Sequence, residues 1–112
     1  MSDIQKLTDH IIKFRNARDW EQFHNSKDLA IAIGIEASEL NEIFLWKTTE
    51  EAEQSDKEKI ADELADIFIY GIMLAHKHGF DIEEIIMNKM KKNGEKYPVE
   101  KAKGTMRKYD QL

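Results

Sequence analysis

Ile60-Ala61-Asp62-Glu63-Leu64-Ala65-Asp66-Ile67-Phe68-Ile69-Tyr70, IADELADIFIY, runs on directly into Gly71-Ile72-Met73-Leu74-Ala75-His76. From Leu64 to Ala75 the only charged residue is Asp66. A helix that is apolar nearly all round must be covered on several sides. Few other helices fit in so short a chain, so the expected solution is a homo-oligomer, first of all a dimeric bundle. A monomeric four-helix bundle with this helix at its centre is the alternative. An ionised carboxylate among apolar neighbours costs several kcal/mol unless something pairs with it. Asp66 therefore asks for a partner.

Working outward, 112 residues at 41% hydrophobic suffice for one domain with its own core. The expected layout is a helical core over about 3–93 and a basic tail over 94–112. With 22 acidic against 17 basic residues, the net charge of −5 argues against general affinity for nucleic acid or an anionic membrane surface. There is no cysteine, hence no disulfide framework and no thiolate metal site, and a reducing, cytoplasmic location is expected. The sequence has neither an apolar N-terminal run of signal-peptide type nor an apolar span of membrane-crossing length, so no membrane association is expected.

A single proline, Pro98, and five glycines leave few enforced breaks, and no period-two alternation suggests a strand. The class expected is all-α. Ser2-x-x-Gln5 reads as a capping box before Ile4, Leu7, Ile11, Ile12 and Phe14, giving a first helix to about Arg18. Asp19 to Ser26 is an aromatic connector. Asn25 or Ser26 caps a second helix to about Trp46. Thr48-x-x-Glu51 is a second capping box, and the polar stretch from Glu50 to Lys59 leads into a third helix ending at His78 before Gly79. Asp81-x-x-Glu84 opens a fourth helix closed by Gly94, and the lysine-rich tail beyond reads as loop.

At about 100° per residue, Glu36 and Glu39 share a stripe with Leu29, Ala32, Ile33, Leu40 and Ile43. Glu63 and Asp66 likewise share a stripe with Ile60, Ile67, Tyr70 and Leu74. On each helix the i, i+3 spacing stacks two carboxylates roughly 5–6 Å apart at Cβ, close enough to reach one ion. Four carboxylates facing a common interior take up protons or bind cations. An all-oxygen set suits a hard divalent ion, Mg²⁺ with Mn²⁺ as a substitute, and Mg²⁺ tends to complete its shell with water and phosphate oxygens. The expected substrate is therefore a polyphosphate. Intersubunit salt bridges to Lys or Arg are the alternative use of these acids. A carboxylate-bridged di-iron bundle needs two Glu-x-x-His motifs, and only Glu21-Gln22-Phe23-His24 fits.

With these residues identified, the sequence resembles the MazG-like all-α nucleoside triphosphate pyrophosphohydrolases, whose signature is an ExxE helix followed by an ExxD helix. Here the motifs are Glu36-Ala37-Ser38-Glu39 and Glu63-Leu64-Ala65-Asp66. Within that family it looks closest to the small dCTP pyrophosphatase branch, through RDWEQFHNSKDLAIAIGIEASELNEIFLWK before the spacer and NGEKYPVEKAKG after it. The likeness covers about Arg18 to Gly104. Ile35 departs from the many members that carry a further acidic residue there. The resemblance implies a helical homodimer, sometimes paired into a tetramer, that uses Mg²⁺ to hydrolyse a nucleoside triphosphate to monophosphate and pyrophosphate. By position, Glu36, Glu39, Glu63 and Asp66 would be the metal ligands and catalytic residues, with one glutamate available to orient the water.

Trp20, His24, Trp46 and Tyr70 are the candidate base contacts, because an aromatic group beside a metal–phosphate site can stack on a nucleobase. Phe23 reads as core. At the junction of helical core and basic tail, Asn93, Lys96 and Tyr97 match the family's N-x-x-K/R-Y/H-P segment, which makes them, together with Lys103, candidate phosphate contacts. A non-catalytic helical oligomer that binds nucleotide or a protein partner is the competing function.

Overall fold

The computed structural model describes residues 1–112 and contains six α-helices and no strand. They are α1 (Asp3–Ala17), α2 (Ser26–Phe44), α3 (Thr49–Glu53), α4 (Lys57–Lys77), α5 (Ile82–Lys96) and α6 (Val99–Ala102), with single 3-10 turns at Glu21–Phe23 and Tyr109–Gln111. The all-α expectation holds. The chain divides into two compact units, Met1–Gly79 and Phe80–Leu112. No helix is long and apolar enough to cross a membrane.

Local chemistry sets the helix starts. Ser2 Oγ accepts from the Gln5 amide at 3.2 Å while Gln5 Oε1 accepts from the Ser2 amide at 3.1 Å, a complete capping box for α1. The Asn25 side chain accepts from the Asp28 amide at 2.8 Å and starts α2. Thr48 accepts from the Glu51 amide at 3.2 Å, but Glu51 Oε1 receives the Thr48 hydroxyl instead of closing the box on the backbone.

The helix that Thr48 starts is only α3, ending at Glu53. Asp56 caps α4 separately through the Glu58 amide at 2.9 Å, so the expected continuous lead-in to the third long helix is two elements. At the other end Gly79, with φ 68°, supplies the left-handed residue that stops α4.

In the first unit α2 packs mainly on α4, with α1 laid against α4. Leu29, Met73 and Ala75 are its buried apolar centre. Arg15 is buried as well, its guanidinium bonded to Asn16 Oδ1 at 2.9 Å and paired with Glu21 at 3.5 Å, and so it ties α1 to the 3-10 turn. Much of the apolar surface stays uncovered. Ile31 and Ile35 on α2, and Leu64 and Phe68 on α4, each pair one turn apart, remain 52, 53, 39 and 60% exposed.

The second unit begins with Asp81 accepting from the Glu84 amide at 2.9 Å. Gly94 does not end α5, which runs on to Lys96, because an isolated glycine costs a helix only about 1 kcal/mol. Pro98 then starts the short α6, where a missing N–H costs nothing.

Candidate functional site

Both acidic pairs sit where the two long helices of the first unit face each other. Carboxylate oxygens of Glu36, Glu39 and Glu63 all lie within 4.8 Å of one another. Glu36 Oε2 and Glu63 Oε2 are buried with no hydrogen-bond partner. No lysine or arginine neutralises them, since the ion pairs of the chain are Arg15–Glu21 and Lys27–Asp28. Asp66, one turn beyond Glu63, is close enough for its charge to act on both Glu36 and Glu63.

The crowding shows in their proton affinities. Burial, reinforced by Glu39, Glu63 and Asp66, raises the Glu36 pKa to about 7. Burial, with the charges of Glu39 and Asp66, also raises Glu63 above the ordinary carboxylate range. Oxygens that are buried, unpaired and mutually repelling are what a bound cation would satisfy. The donor set is all oxygen, and an ion with bonds of about 2.1 Å spans roughly 4.2 Å between opposite ligands, a separation small side-chain rotations reach from the observed spacing. The residues therefore fit Mg²⁺.

Two cavities adjoin this cluster. One, of about 330 Å³, is lined by His10, Ile11, Phe14, Trp20, His24, Asp66, Ile69, Tyr70 and Met73. Its aromatic wall is ordered: Trp20 meets Phe14 edge-on at 5.9 Å and tilts toward His24 at 6.5 Å. Burial and the nearby Arg15 lower the His24 pKa, so this imidazole is neutral at pH 7, and its Nδ1 is buried without a partner. Burial and the charges of Glu36, Asp66 and Glu39 raise Tyr70, which keeps its phenol protonated as a donor. The other cavity, of about 550 Å³ and more polar, is lined by Glu39, Glu42, Ile43, Lys47, Asp56, Lys59, Asp62 and Glu63.

Of the expected base contacts, Trp20, His24 and Tyr70 come together around one cavity with Asp66. Trp46 does not line it. It stands 93% exposed just past α2, with a left-handed φ of 65°. In the second unit, Lys96 Nζ lies 4.9 Å over the Tyr109 ring, and Tyr97 meets Tyr109 edge-on at 6.2 Å. The Asn93 carbonyl accepts from the Tyr97 amide at 2.8 Å, and Lys103 caps α6, exposed. Sequence reasoning left His10 without a role and did not single out Met73. His10 and Phe14 are one turn apart on α1, a spacing that already puts them on one face.

Three comparisons bear on this site. The profile of the MazG-like family matches residues 31–112, which contain both acidic pairs. The chain is 38% identical to "dCTP pyrophosphatase 1" of Mus musculus, an alignment that covers 100% of this chain and 67% of the mouse protein. It is 37% identical to the Homo sapiens protein of the same name, with the same coverage. Among solved structures, a pyrophosphatase from Archaeoglobus fulgidus superposes with a TM-score of 0.82 at 34% identity, covering 88% of this chain and 94% of that one.

Proposed function

The chain belongs to the MazG-like family, and on that premise we propose that it is a Mg²⁺-dependent nucleoside triphosphate pyrophosphohydrolase. It converts a (deoxy)nucleoside triphosphate and water to the monophosphate and pyrophosphate, clearing unwanted nucleotides from the cytoplasmic pool, and Mn²⁺ can replace Mg²⁺. The observation that carries this reading is the set of three converging carboxylates, two with buried oxygens that no protein group satisfies. The relatives named for dCTP make dCTP the first substrate to test.

Glu36, Glu39 and Glu63 would hold the ion, with Asp66, one turn beyond Glu63, as the fourth acid of the set. When bound, it supplies neutralisation of phosphate charge and activation of water for attack. The protein supplies position. Trp20, His24 and Tyr70 take the base into the cavity that Asp66 borders, which brings the α-phosphorus to the carboxylates. A water oxygen then bonds to the α-phosphorus while the bond to the α–β bridging oxygen breaks, and that oxygen leaves with pyrophosphate. A carboxylate of the set orients the water and passes its proton to solvent. Trp46 is a further candidate base contact, and within the second unit Asn93, Lys96, Tyr97 and Lys103 offer amide, hydroxyl and ammonium groups suited to phosphate.

The uncovered face of Ile31, Ile35, Leu64 and Phe68 supports a homodimer, because covering a large apolar side chain contributes about 1.5–3 kcal/mol. Two such dimers can pair as a tetramer. The function is tested by incubating protein with Mg²⁺ and a panel of dNTPs and scoring monophosphate plus pyrophosphate. Glu63→Gln and Asp66→Asn are expected to lower turnover at least about 100-fold with helical circular dichroism retained. Full activity in both variants would overturn the assignment.

A further inference from the structure

Arg15 is the one buried charged residue outside the acidic cluster, and neither it nor its partner Glu21 lines either cavity. A buried guanidinium costs several kcal/mol unless it is closely paired. Its only carboxylate, Glu21, is exposed and 3.5 Å away, while Nε and Nη2 donate to Asn16 Oδ1 at 3.1 and 2.9 Å. So loose a pairing with an exposed acid adds little to net stability. The burial of Arg15 therefore needs another reason.

The connector after α1 supplies one. Trp20 and His24 flank the single 3-10 turn Glu21–Phe23, and no residue of that stretch belongs to the buried apolar centre of Leu29, Met73 and Ala75. Polar bonds hold it instead, and they converge on Arg15. The Arg15 carbonyl accepts from the Trp20 amide at 3.2 Å, the Arg15 guanidinium holds the Glu21 carboxylate, and the Glu21 carbonyl accepts from the His24 amide at 3.0 Å. Each aromatic wall residue is thus one link from Arg15. Its charge reaches His24 as well: burial, and after it the guanidinium, disfavour the imidazolium, so the ring keeps an acceptor nitrogen.

We propose that Arg15 is a positioning residue for nucleotide binding: from outside the cavity, and with Glu21 as its clasp, it fixes Trp20 and His24 in the arrangement that receives the base. The inference rests on the pyrophosphohydrolase reading above. Trp20 and His24 stand 6.5 Å apart with their planes at 59°, and only the clasp sets that geometry before a ligand arrives. Ordering the wall in advance spares the ligand the entropy of ordering it. Loss of the clasp therefore weakens binding of the base and leaves the ion and the chemical step alone.

The test titrates the four deoxynucleoside monophosphates calorimetrically and follows hydrolysis of the matching triphosphates in excess Mg²⁺. Arg15→Met, which leaves no buried charge unpaired, is expected to weaken monophosphate binding and raise KM about 10-fold, the lower end of what one stacked base contributes. Its kcat and Mg²⁺ affinity should change less than about twofold. Arg15→Lys keeps the charge but loses the planar fork, so about a threefold effect is expected. Adding Glu21→Gln to Arg15→Met should cost no further affinity, because the two residues act as one unit. Lys13→Met, on the exposed side of α1, should behave as wild type. If Arg15→Met fails to fold, Arg15→Lys decides. Wild-type binding and KM in the Arg15 variant, a kcat loss as large as the KM change, or no monophosphate binding by the wild type overturns the proposal. Unaltered hydrolysis in Arg15→Met would leave the enzymatic reading standing, whereas Arg15-dependent monophosphate binding without any hydrolysis would sink that reading and keep the clasp.

Discussion

Glu36 holds its proton to about pH 7, against an ordinary value of 4.5, because burial and three neighbouring carboxylates oppose its ionisation. In the metal-free protein the unfolded chain gives up that proton first, so folding stability falls as pH rises from 4.5 and the loss is complete once pH passes about 7. A cation reverses the sign, since its binding displaces the proton. Urea denaturation with EDTA should therefore show a midpoint that declines between about pH 5 and pH 7.5, while Mg²⁺ affinity measured by calorimetry should rise over the same interval. Glu36→Gln should flatten both profiles. Trp46 carries a different strain: a bulky side chain at φ 65°, almost wholly exposed. Left-handed backbone costs a residue with a Cβ about 1–2 kcal/mol. Trp46→Gly is expected to raise thermal stability by about 1 kcal/mol while raising KM several-fold. A lowered melting temperature would show that Trp46 is packed rather than held ready for substrate.

Among elements, α2 and α4 carry both the site and the uncovered apolar face. Phe68 is 60% exposed, so Phe68→Glu should scarcely affect an isolated protomer but would bury a charge in a dimer. Light scattering is expected to find a dimer for the wild type and a monomer for Phe68→Glu. A monomeric wild type would contradict the homodimer. Helix starts were readable in the sequence because capping is local: Ser2, Asn25, Thr48 and Asp81 all act where the pattern placed them. Helix ends and breaks were less so. The restart under Asp56 was signalled by Ser55-Asp56-x-Glu58 but masked by the run of good helix formers around it, and Gly94 stays helical because one glycine is a weak breaker. The acidic pairs were legible since each lies on its own helix with a fixed angular relation to the apolar stripe. The Lys47–Lys59 cavity was not, because it depends on the turn at Trp46 and the approach of Ser55, which no periodicity encodes.

For the molecule as a whole, the first unit has only Leu29, Met73 and Ala75 as buried apolar residues and spends its interior contact on acids that repel one another. Its stability should therefore lean on the ion. At a Mg²⁺ concentration about 100 times its dissociation constant, binding to the folded state alone contributes about 2.7 kcal/mol. Adding EDTA is accordingly expected to lower the melting temperature by several degrees, with Mn²⁺ restoring it. The most direct measurement is an anomalous difference map from a crystal soaked in Mn²⁺. It should place a peak within about 2.3 Å of oxygens from Glu36, Glu39 and Glu63. A map without that peak, in which lysine or arginine from a second protomer neutralises those oxygens, would contradict the account.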